Sequence, residues 1–247
     1  MSEALLPHTF WFRLALGCVR IDDIPGDDPA RPLLNLPAQC RLPNVANLAG
    51  SPAWVDVSAA WNPRGLAFVF ETNDQPGLGF KHNVKDPNDT DPARGHRVQL
   101  WVDTRDTRDV HRAGRFCHRF DVRLAGLEKS AANGTPSSKK NRAIHVDVER
   151  KPIARALAEP PPSPADAVLA RAEAIKSNPD AGPGWRLELF LKAPALHGFD
   201  PESTRKLGFN CAVADPVRGE LFLTVGRAFP IGEDPSLWSV LELRGNA

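Results

Sequence analysis

Segments in which apolar and polar residues alternate recur along the whole chain. The clearest is HRVQLWVDT at residues 96–104, where Val98, Leu100 and Val102 take every second position. A period of two residues is typical of a β-strand, because successive side chains point to opposite faces of a sheet. Similar alternation, or a short apolar run between turn residues, occurs at residues 9–20, 53–58, 65–73, 116–124, 144–149, 185–192, 206–214, 220–226 and 237–244. The sequence therefore predicts about ten strands.

The predicted strands mostly follow one another without a helix between them. The chain has 24 prolines in 247 residues, which favours many turns over long helices. Strands in immediate succession tend to pair antiparallel, so we expect an all-β chain folded as an antiparallel β-sandwich, jelly-roll or immunoglobulin-like. We expect one domain over residues 1–247, with residues 1–50 as an extension that holds one strand and residues 127–183 as an insertion.

One helix is predicted within this insertion. Ser163 is a suitable N-cap, and Pro164 fits the first helical position. Apolar residues then recur at helical spacing, namely Val168, Leu169, Ala172 and Ile175. We therefore predict an α-helix near residues 163–177, preceded by an exposed polar loop over residues 128–142.

Polar and aromatic side chains share one face of several predicted strands. By their spacing, the outward residues include Gln99, Trp101, Asp103, Arg119, Arg186 and Glu188. A flat aromatic ring beside fixed donors and acceptors suits a sugar, which has apolar C–H faces and hydroxyl groups. Cross-strand pairs of arginine and acid can equally serve only to solvate such a face. The alternation alone leaves both interpretations open.

Two acidic segments raise the question of a metal ion. Oxygen-rich side chains crowd the loop DPNDTDPAR, where Asp86, Asp89 and Asp91 are candidate calcium ligands, although the EF-hand spacing is absent. Farther along, Asp103, His111 and His118 offer the ligand types of a transition-metal hydrolase. Their spacing fits no established metal motif, and the arginines between them would oppose a cation.

Composition narrows the classes of function. The formal net charge is +1, so no overall field favours nucleic acid. No apolar run approaches the roughly 18 residues that span a bilayer, and the N-terminal segment lacks the basic start of a secretory signal. We therefore expect a cytoplasmic protein with no nucleic-acid or membrane partner. Four cysteines stand far apart, without a CxxC pair, and are expected to be free thiols.

Several stretches resemble family 9 carbohydrate-binding modules and the related DOMON-like domains. The resemblance lies in WVDVSAAWNPRGLAFVFETND, GHRVQLWVDTRD, the long stretch from GWRLELFLK to GELFL, and the closing DPSLWSVLEL, taken in this order. It covers most of residues 50–244 and implies a β-sandwich that binds sugars without cleaving them, often with a structural calcium. It also implies that Trp238, in the closing strand, is a ring on which a sugar could stack.

Three hypotheses follow for function. The first is non-catalytic binding of a carbohydrate or another small polar ligand, with Trp101 and Trp238 stacking on a ring. The hydrogen-bonding residues of that site would be Gln99, Asp103, Arg119, Arg186 and Glu188. The second is an intracellular protein-interaction or structural domain whose charged face docks a partner chain. The third is the metal-dependent hydrolase; no phosphate loop, nucleophile elbow or HExxH motif supports an enzyme.

Overall fold

A computed structural model describes residues 14–26, 32–44, 53–72, 95–107, 109–127, 142–175, 184–215 and 219–245. Eleven strands lie in this described part of the chain. They are β1 (Ala15–Arg20), β2 (Val55–Asn62), β3 (Gly65–Thr72), β4 (His96–Asp103), β5 (Cys117–Leu127), β6 (Arg142–Lys151), β7 (Val168–Ile175), β8 (Gly184–Lys192), β9 (Lys206–Asp215), β10 (Gly219–Phe222) and β11 (Ser239–Arg244). The all-β prediction is confirmed.

The strands form a single sheet that closes on itself. Its order is β10-β9-β11-β1-β2-β3-β8-β7-β6-β5-β4, and β4 pairs again with β9. Strand β9 closes the sheet because both of its edges are paired. One edge pairs with β4 along residues 208–214, and the other pairs first with β11 and then with β10. Neighbouring strands are antiparallel except β1, which runs parallel to β11 and β2. The sheet is therefore barrel-like, and the two separate layers expected of a sandwich are not observed.

Alternation along the strands fills the interior of this sheet. Val98, Leu100 and Val102 on β4 face inward and are fully buried, as the sequence pattern predicts. Phe68 on β3 and Phe209 on β9 stack at 5.0 Å between ring centroids. Full burial of one such side chain contributes roughly 1.5–3 kcal/mol, so the interior rings are a main source of stability.

Loops cover two parts of the outer surface with smaller apolar clusters. One cluster lies over β4, β5 and β9 and includes Trp101, Ile153, Val225, Ile231 and Trp238. The other lies over β2, β3 and β8, where the segment 21–40 contributes the buried residues Ile24, Leu34 and Cys40. All four cysteines are buried and unpaired, as expected. Some outward-facing residues of these strands are therefore buried beneath the covering loops.

The predicted helix near residues 163–177 is wrong, because this region contains strand β7. Residues 168–175 pair antiparallel with residues 184–191 of β8. Ala170, Ala172 and Ala174 pack against the main core, which is a spacing of two rather than of three and four. Alanine fits both structures, so the long pairing with β8 overrides the local helical preference.

The region predicted as an insertion contributes two strands to the closed sheet. Strands β6 and β7 both lie within residues 127–183, between β5 and β8 in the sheet order. The N-terminal segment contributes β1, so its predicted strand is present. The single-domain arrangement remains a prediction. In the described residues the helical segments are three-residue 3-10 turns, none of which could cross a bilayer.

Candidate functional site

An open cleft of ≈ 220 Å³ lies on the outer surface of strands β2, β3 and β8. We name it the outer cleft. It is lined by Leu36, Pro37, Ala38, Arg41, Asp56, Ser58, Val69, Glu71 and Arg186. This volume is below the range of about 300–1,000 Å³ that is usual for small-molecule sites, so the outer cleft is a shallow, open surface feature.

Sheet register places the polar residues of the outer cleft side by side. Asp56 on β2 stands opposite Glu71 on β3, which in turn stands opposite Arg186 on β8. Ser58 and Val69 form the next row on the same face, two residues along the strands. Directly opposed side chains on one face have Cβ atoms about 4.5–5.5 Å apart, so these groups can act on one ligand.

The segment 36–42 forms one wall of the outer cleft. Arg41 forms an isolated β-bridge with Ser58, and the Leu42 N–H donates to the Val57 carbonyl at 2.8 Å. Cys40 ends a 3-10 turn, and its buried side chain anchors the turn in the apolar cluster below. The wall is therefore held by backbone hydrogen bonds and by burial.

Two ion pairs supply the donors and acceptors of the cleft. Arg41 donates to Asp56, and Arg186 donates to Glu71 at 2.7 Å. The carboxylate of Glu71 and the guanidinium of Arg41 remain substantially exposed, at 44% and 57% of the side chain. Solvent-facing donors and acceptors therefore alternate across the cleft.

Glu188, a predicted ligand residue, lies beneath Arg186. It accepts hydrogen bonds from the Arg186 Nε at 3.0 Å and from the backbone N–H of Leu33 at 2.9 Å. Arg186 also donates to the Leu34 carbonyl at 3.1 Å. Glu188 is buried, so it orients Arg186 and ties the segment 33–34 to the sheet.

The remaining predicted ligand residues lie on another part of the sheet. Trp101 and Trp238 pack together in the cluster over β4, β5 and β9, and are 3% and 1% exposed. The Trp238 indole N–H donates to the Ile231 carbonyl at 2.7 Å. Strands β6 and β7 separate this group from Arg186 on β8. The structure thus divides the predicted residues between two locations.

Gln99 and Arg119 meet at Asp121, which sequence reasoning did not single out. Asp121 accepts hydrogen bonds from Gln99 at 3.1 Å, from Arg119 at 3.0 and 3.2 Å, and from Arg97. Burial raises the pKa of Asp121, but hydrogen bonds from Arg119, Gln99 and Arg97 outweigh it and leave the pKa below its ordinary value. Arg119 also lies over Trp101, 6.0 Å from the ring centroid.

Asp103 closes a turn at the end of β4. Its carboxylate accepts the backbone N–H of Arg105 at 3.0 Å and of Thr107 at 2.7 Å. Burial raises the pKa of Asp103, partly offset by these hydrogen bonds. The side chain is buried, so its observed contacts are those of a turn cap.

The candidates for a transition metal have separate partners. His118 is buried between the His197 carbonyl and the Arg150 guanidinium, at 3.2 and 3.3 Å. His111 is exposed and contacts Asp234 and Ser236 at 3.1 and 3.0 Å. Within the described ranges, no three His, Cys, Asp or Glu side chains are grouped as a metal site would require. The proposed calcium ligands Asp86, Asp89 and Asp91 lie outside the described residues and stay a prediction.

Comparison with known proteins identifies the fold. A carbohydrate-binding module of family 9 from Caldicellulosiruptor kristjanssonii, in complex with cellotriose, matches over 95% of each chain, with a TM-score of 0.50 and 12% sequence identity. A family 9 module from the same organism in complex with glucose matches over 78% of each chain, with a TM-score of 0.47 and 13% identity. No protein-family model and no curated protein matches the sequence.

The chain therefore has the fold of a family 9 carbohydrate-binding module. The resemblance predicted from the order of its sequence stretches is confirmed at the level of the fold. The broader DOMON-like resemblance stays a prediction, because the structure solved with cellotriose is a family 9 module.

Proposed function

We propose that the protein binds a carbohydrate-like ligand without cleaving it, and that the ligand occupies the outer cleft. The observation that carries this proposal is the row of Asp56, Glu71 and Arg186, faced by Arg41, in an open cleft of ≈ 220 Å³. This row replaces the stacked tryptophans of the sequence hypothesis as the centre of the site. Arg186 belongs to both versions.

The chemistry of the row matches adjacent sugar hydroxyls. A hydroxyl donates one hydrogen bond and accepts others, whereas a guanidinium only donates and a carboxylate only accepts. Each ion pair of the cleft offers one group of each kind side by side. Two neighbouring hydroxyls can therefore bridge an arginine and its acid, and Leu36, Pro37 and Val69 provide apolar contacts for the C–H groups of the ring.

The same ion pairs favour binding over hydrolysis. Glycoside cleavage uses two carboxyl groups, of which one must be protonated to donate to the leaving group. In the outer cleft both Asp56 and Glu71 accept hydrogen bonds from guanidinium groups, Arg41 and Arg186 respectively. Both carboxylates are thus arranged as acceptors, as a binding site for hydroxyls requires.

The shared fold supports a carbohydrate ligand. The family 9 module from C. kristjanssonii that covers 95% of this chain was solved with cellotriose bound. The outer cleft offers this chain an open polar surface on which part of a sugar could bind.

A glycan array tests the proposal with three proteins. They are the unmodified chain, the double variant Asp56→Asn/Glu71→Gln, and the control Asp22→Asn/Glu202→Gln. The two variants make the same change in charge, but Asp22 and Glu202 are exposed and lie outside the outer cleft. We expect hits with the unmodified chain and the control, and a loss of signal on the order of tenfold or more with the cleft variant.

Two results would contradict the proposal. Hits that persist in the folded cleft variant would place sugar binding elsewhere on the surface. An array without hits for all three proteins would remove the carbohydrate ligand and favour the protein-interaction hypothesis.

A further inference from the structure

Four arginines converge on the outer side of strands β4 and β5, away from the outer cleft. We define the arginine face by Arg97, Arg119, Arg123 and Arg227, with Gln99 and Asp121 at its centre. Register places Arg97 opposite Arg123 and Gln99 opposite Asp121. Arg227 reaches the same centre from the segment after β10, where it donates to the side-chain Oε1 of Gln99 at 3.5 Å.

The arginine face presents donors to solvent and hides its acceptor. The Asp121 side chain is 1% exposed, whereas those of Arg97, Arg119 and Arg227 are 24%, 23% and 62% exposed. Asp121 already accepts bonds from three side chains and therefore fixes the arginines in place. A ligand that approaches meets guanidinium groups first.

Most donors of these arginines are not used within the face. A guanidinium carries five N–H donors, and the bonds of the face use one from Arg97, two from Arg119 and three from Arg227. Arg123 makes no side-chain hydrogen bond within the described part of the chain. The face therefore has unused capacity to bind anions.

Neighbouring charges leave the surface mildly basic. Glu220 pairs with Arg227, and on β6 Glu149 pairs with Lys151. Asp147 stands opposite Arg123. Across the face and the adjoining residues of β6 and β10, basic groups exceed acidic ones by one. Like charges that stand directly opposite each other, as Arg97 and Arg123 do, repel, and an anion bound between them would relieve this repulsion.

The surroundings favour a hydrated polyanion over a protein partner. Stable protein interfaces are centred on exposed aromatic and apolar anchors. Among the described residues, Leu157 is the only large apolar side chain that is well exposed, so no such anchor accompanies the arginines. Guanidinium forks match the geometry of carboxylates and of other oxyanions.

We infer that the arginine face binds an acidic polysaccharide through its carboxylate or sulfate groups. This inference does not depend on the outer cleft, because β6 and β7 separate the two surfaces along the sheet. Binding is electrostatic, so it weakens as salt screens the charges.

Affinity electrophoresis of the full chain tests the inference. The gels contain polygalacturonate, dextran sulfate, neutral dextran or polyglutamate, with chelator present, at low and at physiological salt. The variant Arg123→Gln/Arg227→Gln removes one partly exposed and one exposed charge and leaves the bonds of Arg97, Arg119 and Gln99 to Asp121 intact. The control Arg205→Gln/Arg244→Gln makes the same charge change at exposed positions beside β11.

We expect polygalacturonate or dextran sulfate to retard the unmodified chain and the control, and neutral dextran to retard neither. The preferred polyanion distinguishes carboxylate from sulfate recognition. Retardation should fall on the order of tenfold in the face variant, and also as salt rises. Equal retardation of variant and control, or polyglutamate as effective as either polysaccharide, would overturn the inference. If the glycan array gave no hits but the polyanion gels still retarded the protein, only the proposal for the outer cleft would be contradicted.

Discussion

His118 shows how the environment of one residue fixes its protonation state. Arginine can only donate, so the Arg150 contact at 3.3 Å makes the His118 Nδ1 an acceptor. The Nε2–H then donates to the His197 carbonyl at 3.2 Å. The pKa of His118 is lowered to about 4, mainly by burial and also by the nearby Arg150 charge, while the hydrogen bond to the His197 carbonyl acts in the opposite direction. The imidazole is therefore neutral in the folded protein.

This lowered pKa makes stability depend on pH. Unfolded His118 takes up a proton near its ordinary pKa of 6.5, whereas the folded residue resists protonation until about pH 4. Its contribution to the free energy of unfolding is thus complete above pH 6.5 and declines, by up to about 3 kcal/mol, as pH falls to 4. We expect His118→Asn to flatten this part of a urea-denaturation pH profile. His111→Asn, at an exposed position, should keep the slope of the unmodified chain; an equal slope in both variants would contradict the assignment.

Trp101 is a packing residue in this structure, and its loss should reduce stability. Removal of a buried aromatic side chain costs about 3–5 kcal/mol, and Trp101 is in the cluster that joins β4 to the covering loops. Trp101→Ala should lower the free energy of unfolding in urea by that amount. The control Leu157→Ala, at an exposed position, should change it by less than about 0.5 kcal/mol. A small effect of Trp101→Ala on stability would restore Trp101 as a candidate for ligand stacking.

At the scale of the element, β7 shows how pairing overrides local propensity. Residues 163–177 carry helix-start signals and an apolar stripe at helical spacing. In the structure, residues 168–175 form eight consecutive pairings with β8, and alternate side chains pack inward. The sequence of residues 163–177 alone cannot show this pairing, because the partner strand β8 lies farther along the chain.

The predicted helix and the observed strand β7 place the side chain of Ala174 on different sides. A strand turns Ala174 toward the core together with Ala170 and Ala172, whereas the helical stripe leaves it out. We expect Ala174→Asp to lower the free energy of unfolding by about 1–3 kcal/mol, because it brings a charge toward apolar residues. Glu173→Ala, on the outward side, should have a small effect. Equal tolerance of both substitutions in a urea melt would contradict the inward position of Ala174.

At the scale of the whole molecule, closure of the sheet decides which residues share a surface. Asp56 and Glu71 come from the consecutive strands β2 and β3, whereas Arg186 comes from β8, 115 residues after Glu71, and register brings the three into one row. The pattern of β2 and β3 places Asp56 and Glu71 on outward positions, but it cannot show that β8 follows β3 in the sheet. Arg186 could therefore be predicted as a ligand residue from its own strand. Its neighbours Asp56 and Glu71 could not, because their place beside Arg186 depends on the pairing of β3 with β8.

The covering loops explain why other predicted site residues are buried. Trp101 lies outward from β4, as alternation requires, and Trp238 lies just before β11, at the end of the 3-10 turn Pro235–Leu237. The segments around Ile153 and Ile231 pack over both. Gln99, Arg119 and Asp121 form one hydrogen-bonded group because β4 and β5 are neighbours. The face of the sheet on which a strand residue lies could be predicted from the sequence. Its exposure depended on the covering loops, whose packing leaves no periodic pattern in the sequence.

The sequence by itself determined the all-β character, most strand positions, the inward side of β4, β5 and β8, and the resemblance to family 9 modules. These properties follow from local alternation and from the order of segments, which a single chain records directly. The tertiary structure alone decided the closure through β4 and β9, the strand at 168–175, and the grouping of polar residues into the outer cleft and the arginine face. Each of these depends on contacts between residues distant in sequence, whose free energy is set by register and burial rather than by local preference.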